Sequence, residues 1–157
     1  MKNKDMEKAS EIQKNFEENL EKLDLSSKDK LIETFQLLWN SEKELKKHIN
    51  KRLKYNQIDI NNPEIDYMKK TFETLEKSIS IIYEKPKKNA PRDWHKLLYN
   101  KENEWIVIVG ENGKLITSYP LDCLFETLLQ IHGNSYEFYK LEKEAVNDRF
   151  RKIIKDL

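Results

Sequence analysis

Trp105-Ile106-Val107-Ile108-Val109, then Gly110-Glu111-Asn112-Gly113-Lys114, then Leu115-Ile116-Thr117-Ser118-Tyr119 is the stretch that decides the fold. Two β-branched runs joined through Asn-Gly form the strongest short-range hairpin signal a sequence offers. Upstream, Trp94 to Tyr99 reads as a further short strand, and Pro120 ends the sheet. Lys85 to Pro91 is a basic loop whose two prolines exclude helix.

Everything else carries helical spacing. Ile12, Phe16, Leu20 and Leu23 form a narrow stripe on the polar segment Asp5–Leu23, able to pack on this chain or on a partner. Ser26 or Ser27 caps a second helix, and Ser41 with Glu44 offers a capping box that allows a break, giving Lys28–Trp39 and Glu42–Tyr55 as two helices or one kinked helix. After the Asn61-Asn62-Pro63 stop, Ile65, Met68, Phe72, Leu75, Ile79 and Ile82 predict a helix over 64–83. Leu121–Ile131 and Asn134–Ile154 read as closing helices parted by Gly133. The expected fold is α+β: N-terminal helices, a small antiparallel β-meander, then C-terminal helices. Residues 1–25 are expected to be a helical extension, and 26–157 a single domain with its core at 38–121.

Composition narrows function by exclusion. The chain has 157 residues, with 29 basic and 28 acidic, for a net charge of +1. That balance argues against a globally basic nucleic-acid binder but leaves room for local patches. A single Cys excludes a disulfide framework and a thiolate zinc site, and Cys123 on an apolar face reads as a small buried hydrophobe. No apolar run reaches the about 18 residues of a membrane span, and Met1–Ser10 lacks a signal-peptide hydrophobic region, so a cytoplasmic protein is expected. Gly-rich phosphate loops, nucleophile elbows and zinc-helix motifs are missing, so neither cofactor nor metal is expected.

Between Glu42 and Tyr55, six bases face two acids, a local balance of +4. The proline-flanked loop sets Lys85, Lys87, Lys88, Arg92 and Lys96 against Glu84 and Asp93, a local +3. Two such patches on a neutral chain suit a phosphate backbone; solvated faces are the plainer alternative. Of three histidines, His132 reads as a helix-terminal cation and His95 as a structural strand residue. His48 differs, because on a helix it shares a face with Lys51 and Arg52.

A helical His among bases (Lys47, His48, Lys51, Arg52), an aromatic-bearing helix (Tyr67), and the strands Trp105–Val109 and Leu115–Tyr119 around Gly113 follow in order. This order resembles the barnase–EndoU–colicin–RelE superfamily of small metal-independent ribonucleases, closest to its phage-borne and polymorphic-toxin members, over Leu38 to Leu121. The resemblance implies cleavage of RNA, such as tRNA or ribosome-bound RNA, by 2′-hydroxyl attack on the adjacent phosphate, and a cognate antitoxin or immunity protein as partner. His48 would then be general base or acid, Lys51 and Arg52 phosphate and transition-state contacts, and Thr117 a phosphate hydroxyl. Lys47, Lys87, Lys88, Arg92 and Ser118 would bind substrate. Strand alternation lets only one of Thr117 and Ser118 serve. A non-catalytic interaction module, of immunity or antitoxin type, and a binding-only RNA module stay open as alternatives.

Overall fold

A computed structural model describes residues 3–78, 80–87, 93–132, 136–141 and 145–157. The fold is α+β. Its centre is an antiparallel sheet of five strands: β2 (Ser80–Pro86), β3 (His95–Asn100), β4 (Trp105–Gly110), β5 (Leu115–Pro120) and β6 (Tyr136–Leu141). They lie in the order β5-β4-β3-β2-β6, so a meander of four consecutive strands takes β6 on its far edge. A two-residue strand β1 (Lys77–Ser78) pairs separately with β7 (Ala145–Val146).

Helices cover both faces of the sheet. On one lie α1 (Asn3–Leu20), α2 (Lys28–Phe35), a 3₁₀ turn at Gln36–Leu38, α3 (Glu42–Lys54), α4 (Pro63–Glu76) and α6 (Asp148–Asp156). Ile12, Phe16, Leu38, Phe72 and Phe150 there join Leu98, Trp105, Val107, Val109 and Leu115 in one core. On the other face, α5 (Phe125–His132) packs Leu128 and Leu129 over Leu97 and Ile106, and Phe125 stacks on Tyr99 at 4.7 Å. Both faces being covered explains why β4 reads as an unbroken apolar run: Trp105, Val107 and Val109 point one way, Ile106 and Ile108 the other.

The hairpin forms where expected. Gly113, at φ 74°, takes the left-handed position that closes a three-residue loop between Gly110 and Lys114. The register then slips, pairing Ile108 with Thr117 but Val109 with Leu115. Ile116 is the extra residue. Ser27 and Ser41 cap α2 and α3, each accepting the amide three residues on at 3.1 Å.

Two helical expectations are corrected. The helix read over 64–83 stops at Glu76, and its last third is β1 and β2. Of residues 134–154, those described hold β6, β7 and α6 in place of one helix, while 134–135 and 142–144 lie outside the described residues. In both places the apolar residues fit helical and strand periods alike, and long-range pairing decided: β2 lies between β3 and β6. The stripe of α1 is settled as well, since Ile12, Phe16 and Leu20 pack into this chain's own core.

One charge lies under α1. Lys96, on the α1 side of β3, is 5% exposed; its ammonium contacts the Gln13 amide oxygen and lies 5.9 Å from the centre of the Phe16 ring. Burial pulls its pKa down to about 8, with Glu17 acting against the shift. The unfolded chain holds this proton to about pH 10.4, so between pH 8 and pH 10 the unfolded state binds more protons. Stability should therefore rise across that window, by about 2 to 3 kcal/mol from this group. Urea titrations at stepped pH check this, and Lys96→Met should flatten the rise.

Candidate active site

The expected residues separate into three places. Helix α3 holds Lys47 and Lys51 in solvent, His48 half-buried, and Arg52 buried. The His48 ring lies 5.0 Å from Trp39, which in turn stacks on Tyr67 at 6.0 Å. Burial holds the His48 imidazole below its ordinary range; Glu44 opposes the shift, while Arg52, Lys51 and Lys47 reinforce it. Among the described residues no hydrogen bond reaches this ring, so nothing fixes its orientation beyond packing. Arg52 Nη1 donates to Gln57 Oε1 at 2.9 Å, and its guanidinium sits 5.7 Å from the centre of the Tyr119 ring.

Ser118 is corrected. Its hydroxyl is fully buried, accepts from Trp105 Nε1 at 2.7 Å and donates to Thr71 Oγ1 at 2.7 Å, since the Thr71 hydroxyl itself donates to the Tyr67 carbonyl. The Tyr67 hydroxyl donates to the Ser118 carbonyl at 2.7 Å. These bonds tie α4 to the sheet and leave no path to a phosphate. Ser118→Ala orphans the buried Trp105 indole, so unfolding should become easier by about 1 to 3 kcal/mol in a denaturant titration. Lys87 lies half-buried just past β2, and Lys88 and Arg92 lie outside the described residues.

Thr117 points to the opposite face, the one α5 covers, and that face contains a pair the sequence reading did not join. Glu84 of β2 stands directly across from His95 of β3. Glu84 Oε1 lies 2.6 Å from His95 Nδ1, with the glutamate 4% exposed and the His95 side chain 17% exposed. An ionised Glu84 only accepts, which assigns the proton of this bond to Nδ1 and leaves Nε2 for other work. Tyr136 of β6 packs its ring 5.7 Å away.

Register places Thr117 on the same surface. It pairs with Ile108, which pairs with Leu97, two residues along β3 from His95. Two strand spacings across and two residues along separate the Thr117 and His95 backbones by about 12 Å, a span side chains and an RNA phosphate can share. Tyr119 lies on this face too. Its phenol is raised above the ordinary value by burial first, then by Cys123 and Asp122; Arg52 pulls it down and Glu84 adds a smaller push. Tyr119 thus lies within electrostatic reach of Arg52 at the β5 edge and of Glu84 in the interior. Half-buried Cys123 packs against the apolar cluster alongside.

The family described as "Uncharacterised protein aq_aa01" matches residues 28–157. The chain belongs to that family. A relative from Aquifex aeolicus (strain VF5), "Uncharacterized protein aq_aa01", is 39% identical over 71 residues, 45% of this chain. The match spans 49% of that relative, so the chain covers about half its length. No solved structure matches. Among the described residues, no helix is long and apolar enough to cross a membrane.

Proposed function

We propose that this protein is an endoribonuclease that cleaves by 2′-hydroxyl attack, with His95 as its proton-transfer group. The carboxylate-held imidazole carries the reading. A nucleophile or base fixed by a third group is the recurring arrangement of imidazole catalysis, and Glu84 supplies that third group at 2.6 Å. His95 Nε2 takes the 2′-hydroxyl proton as that oxygen bonds to phosphorus. The P–O5′ bond breaks, the departing oxygen draws a proton from water, and the imidazolium returns its own to solvent. A cyclic 2′,3′-phosphate is left.

Other residues fit around that step. The Thr117 hydroxyl would donate to a phosphate oxygen on this face, whereas Arg52 lies at the far β5 edge beside Tyr119 and is assigned no contact with the reacting phosphate. Lys47 and Lys51 project from α3 into solvent and suit the flanking backbone. His48, the base suggested by sequence, lacks an orienting partner and is assigned no proton transfer.

The test is incubation of purified protein with total RNA and tRNA in EDTA, beside His95→Gln and His48→Gln. Fragments ending in cyclic phosphate that vanish only with His95→Gln support the assignment. Their loss only with His48→Gln would move the chemistry to α3. RNA left intact by folded wild-type protein would overturn the nuclease reading and favour a binding module, whether of RNA or of a cognate protein.

A further inference from the structure

Among the described residues, the corner between the 3₁₀ turn, α3 and β5 contains two buried donors with nothing to donate to. Trp39 is 1% exposed, and its indole Nε1 has no hydrogen-bond partner among them. Arg52 is 6% exposed, and its Nε is likewise unpaired. The shortfall is local, because the comparably buried Trp105 indole is satisfied by Ser118 at 2.7 Å. Leaving a buried donor unpaired is costly, and such atoms in a native fold call for an explanation such as a ligand.

Charge points the same way. Arg52 cannot shed its proton, its one hydrogen-bond acceptor is the neutral Gln57 side chain, and no carboxylate lies within ion-pair distance among the described residues. The acids of α3, Glu42 and Glu44, sit in its first turn, whereas Arg52 is in its last, among Lys51 and Lys54. Among the described residues, this buried cation in basic surroundings lacks a counter-charge. Both donors border the same ring: Trp39 stacks on Tyr67, and the Tyr67 phenol is pulled down by Arg52 against the upward push of burial. The half-buried His48 ring, resting on Trp39, forms the outer wall.

We propose that this corner is a seat for a phosphate oxyanion, which accepts from Arg52 Nε and Trp39 Nε1 once the His48 ring swings off the indole. Seat and catalytic face are separate: His95 and Glu84 lie on the opposite side of the sheet, and the seat would bind a phosphate whether or not RNA is cut. The anion is a phosphodiester of a bound strand or free phosphate, which share the chemistry.

The experiment uses ¹⁵N-labelled full chain titrated with inorganic phosphate, and separately with a 2′-deoxy dinucleoside monophosphate that cannot be cleaved. The Trp39 indole and Arg52 Nε–H resonances should shift saturably, while those of Trp94 and Trp105 stay in place. Arg52→Gln should weaken binding at least tenfold. Should that variant unfold, Trp39→Phe is read through the Arg52 Nε–H signal and should also bind more weakly. Tighter binding of the dinucleotide identifies an RNA backbone subsite; equal binding identifies a phosphate site. An unmoved Trp39 indole in wild type, a shift that never saturates, or undiminished affinity in folded Arg52→Gln or Trp39→Phe would overturn the proposal. None of these readouts involves RNA cleavage, so seat and nuclease readings fail separately.

Discussion

RNA cleavage by His95→Gln is expected to fall by about 100- to 10,000-fold, the range that loss of a general acid–base group produces. The fold should tolerate the change, since Gln retains a donor that can reach Glu84. Glu84→Gln probes the same pair from the other side. It removes the negative charge that selects the Nδ1-protonated tautomer and steadies the imidazolium once formed. The expected result is a drop in kcat at nearly constant KM. A purely structural glutamate would move the unfolding midpoint and leave kcat of the folded enzyme in place. Single-turnover cleavage of a short RNA measures all of these.

Gly113→Ala should cost at least about 3 kcal/mol of stability, through two additive causes. Holding φ at 74° with a Cβ costs about 1 to 2 kcal/mol. The new methyl group would also lie 2.3 Å from the Asn15 carbonyl carbon and 2.4 Å from the Phe16 nitrogen, which are backbone atoms of α1. Either α1 withdraws, exposing Ile12 and Phe16, or the hairpin tip deforms. Denaturant unfolding gives the loss, and faster proteolysis within α1 would show which side yields. Gly110→Ala is the control, because its Cβ would meet side-chain atoms alone, of Ile116 at 3.1 Å and of Asn112 at 3.5 Å, and should cost much less. Equal effects of the two would refute close docking of α1 on the hairpin.

Local chemistry made part of this fold readable. Asn112-Gly113 sets a turn through its own backbone preferences, and Ser27 and Ser41 cap with hydroxyls three residues from the amides they accept. Strands β2 and β6 were hidden because their apolar residues also fit a helix, and only long-range pairing separates the two. The same concealment covered the site. Glu84 and His95 face each other because β2 and β3 are in register; with 64–83 read as helix, Glu84 had no strand to belong to. Ser118 beside Thr117 was a coin toss between sheet faces, and Tyr67, Thr71 and Trp105 claim it for the core. The helical side of α3 was legible from spacing, but the missing counter-charge at Arg52 shows only in three dimensions.

The way α1 is fastened has a consequence for the chain as it emerges from the ribosome. Asn15 Nδ2 donates to the Glu111 carbonyl at 2.8 Å and Asn19 Nδ2 to the Asn112 carbonyl at 3.0 Å, partners 96 and 93 positions further along. At about 5 to 20 residues per second, α1 waits about 5 to 20 seconds for the turn that receives it. During that interval its stripe of Ile12, Phe16 and Leu20 has no completed sheet to cover it. Until that turn emerges the nascent chain carries an exposed greasy helix, an apt substrate for a chaperone at the exit tunnel.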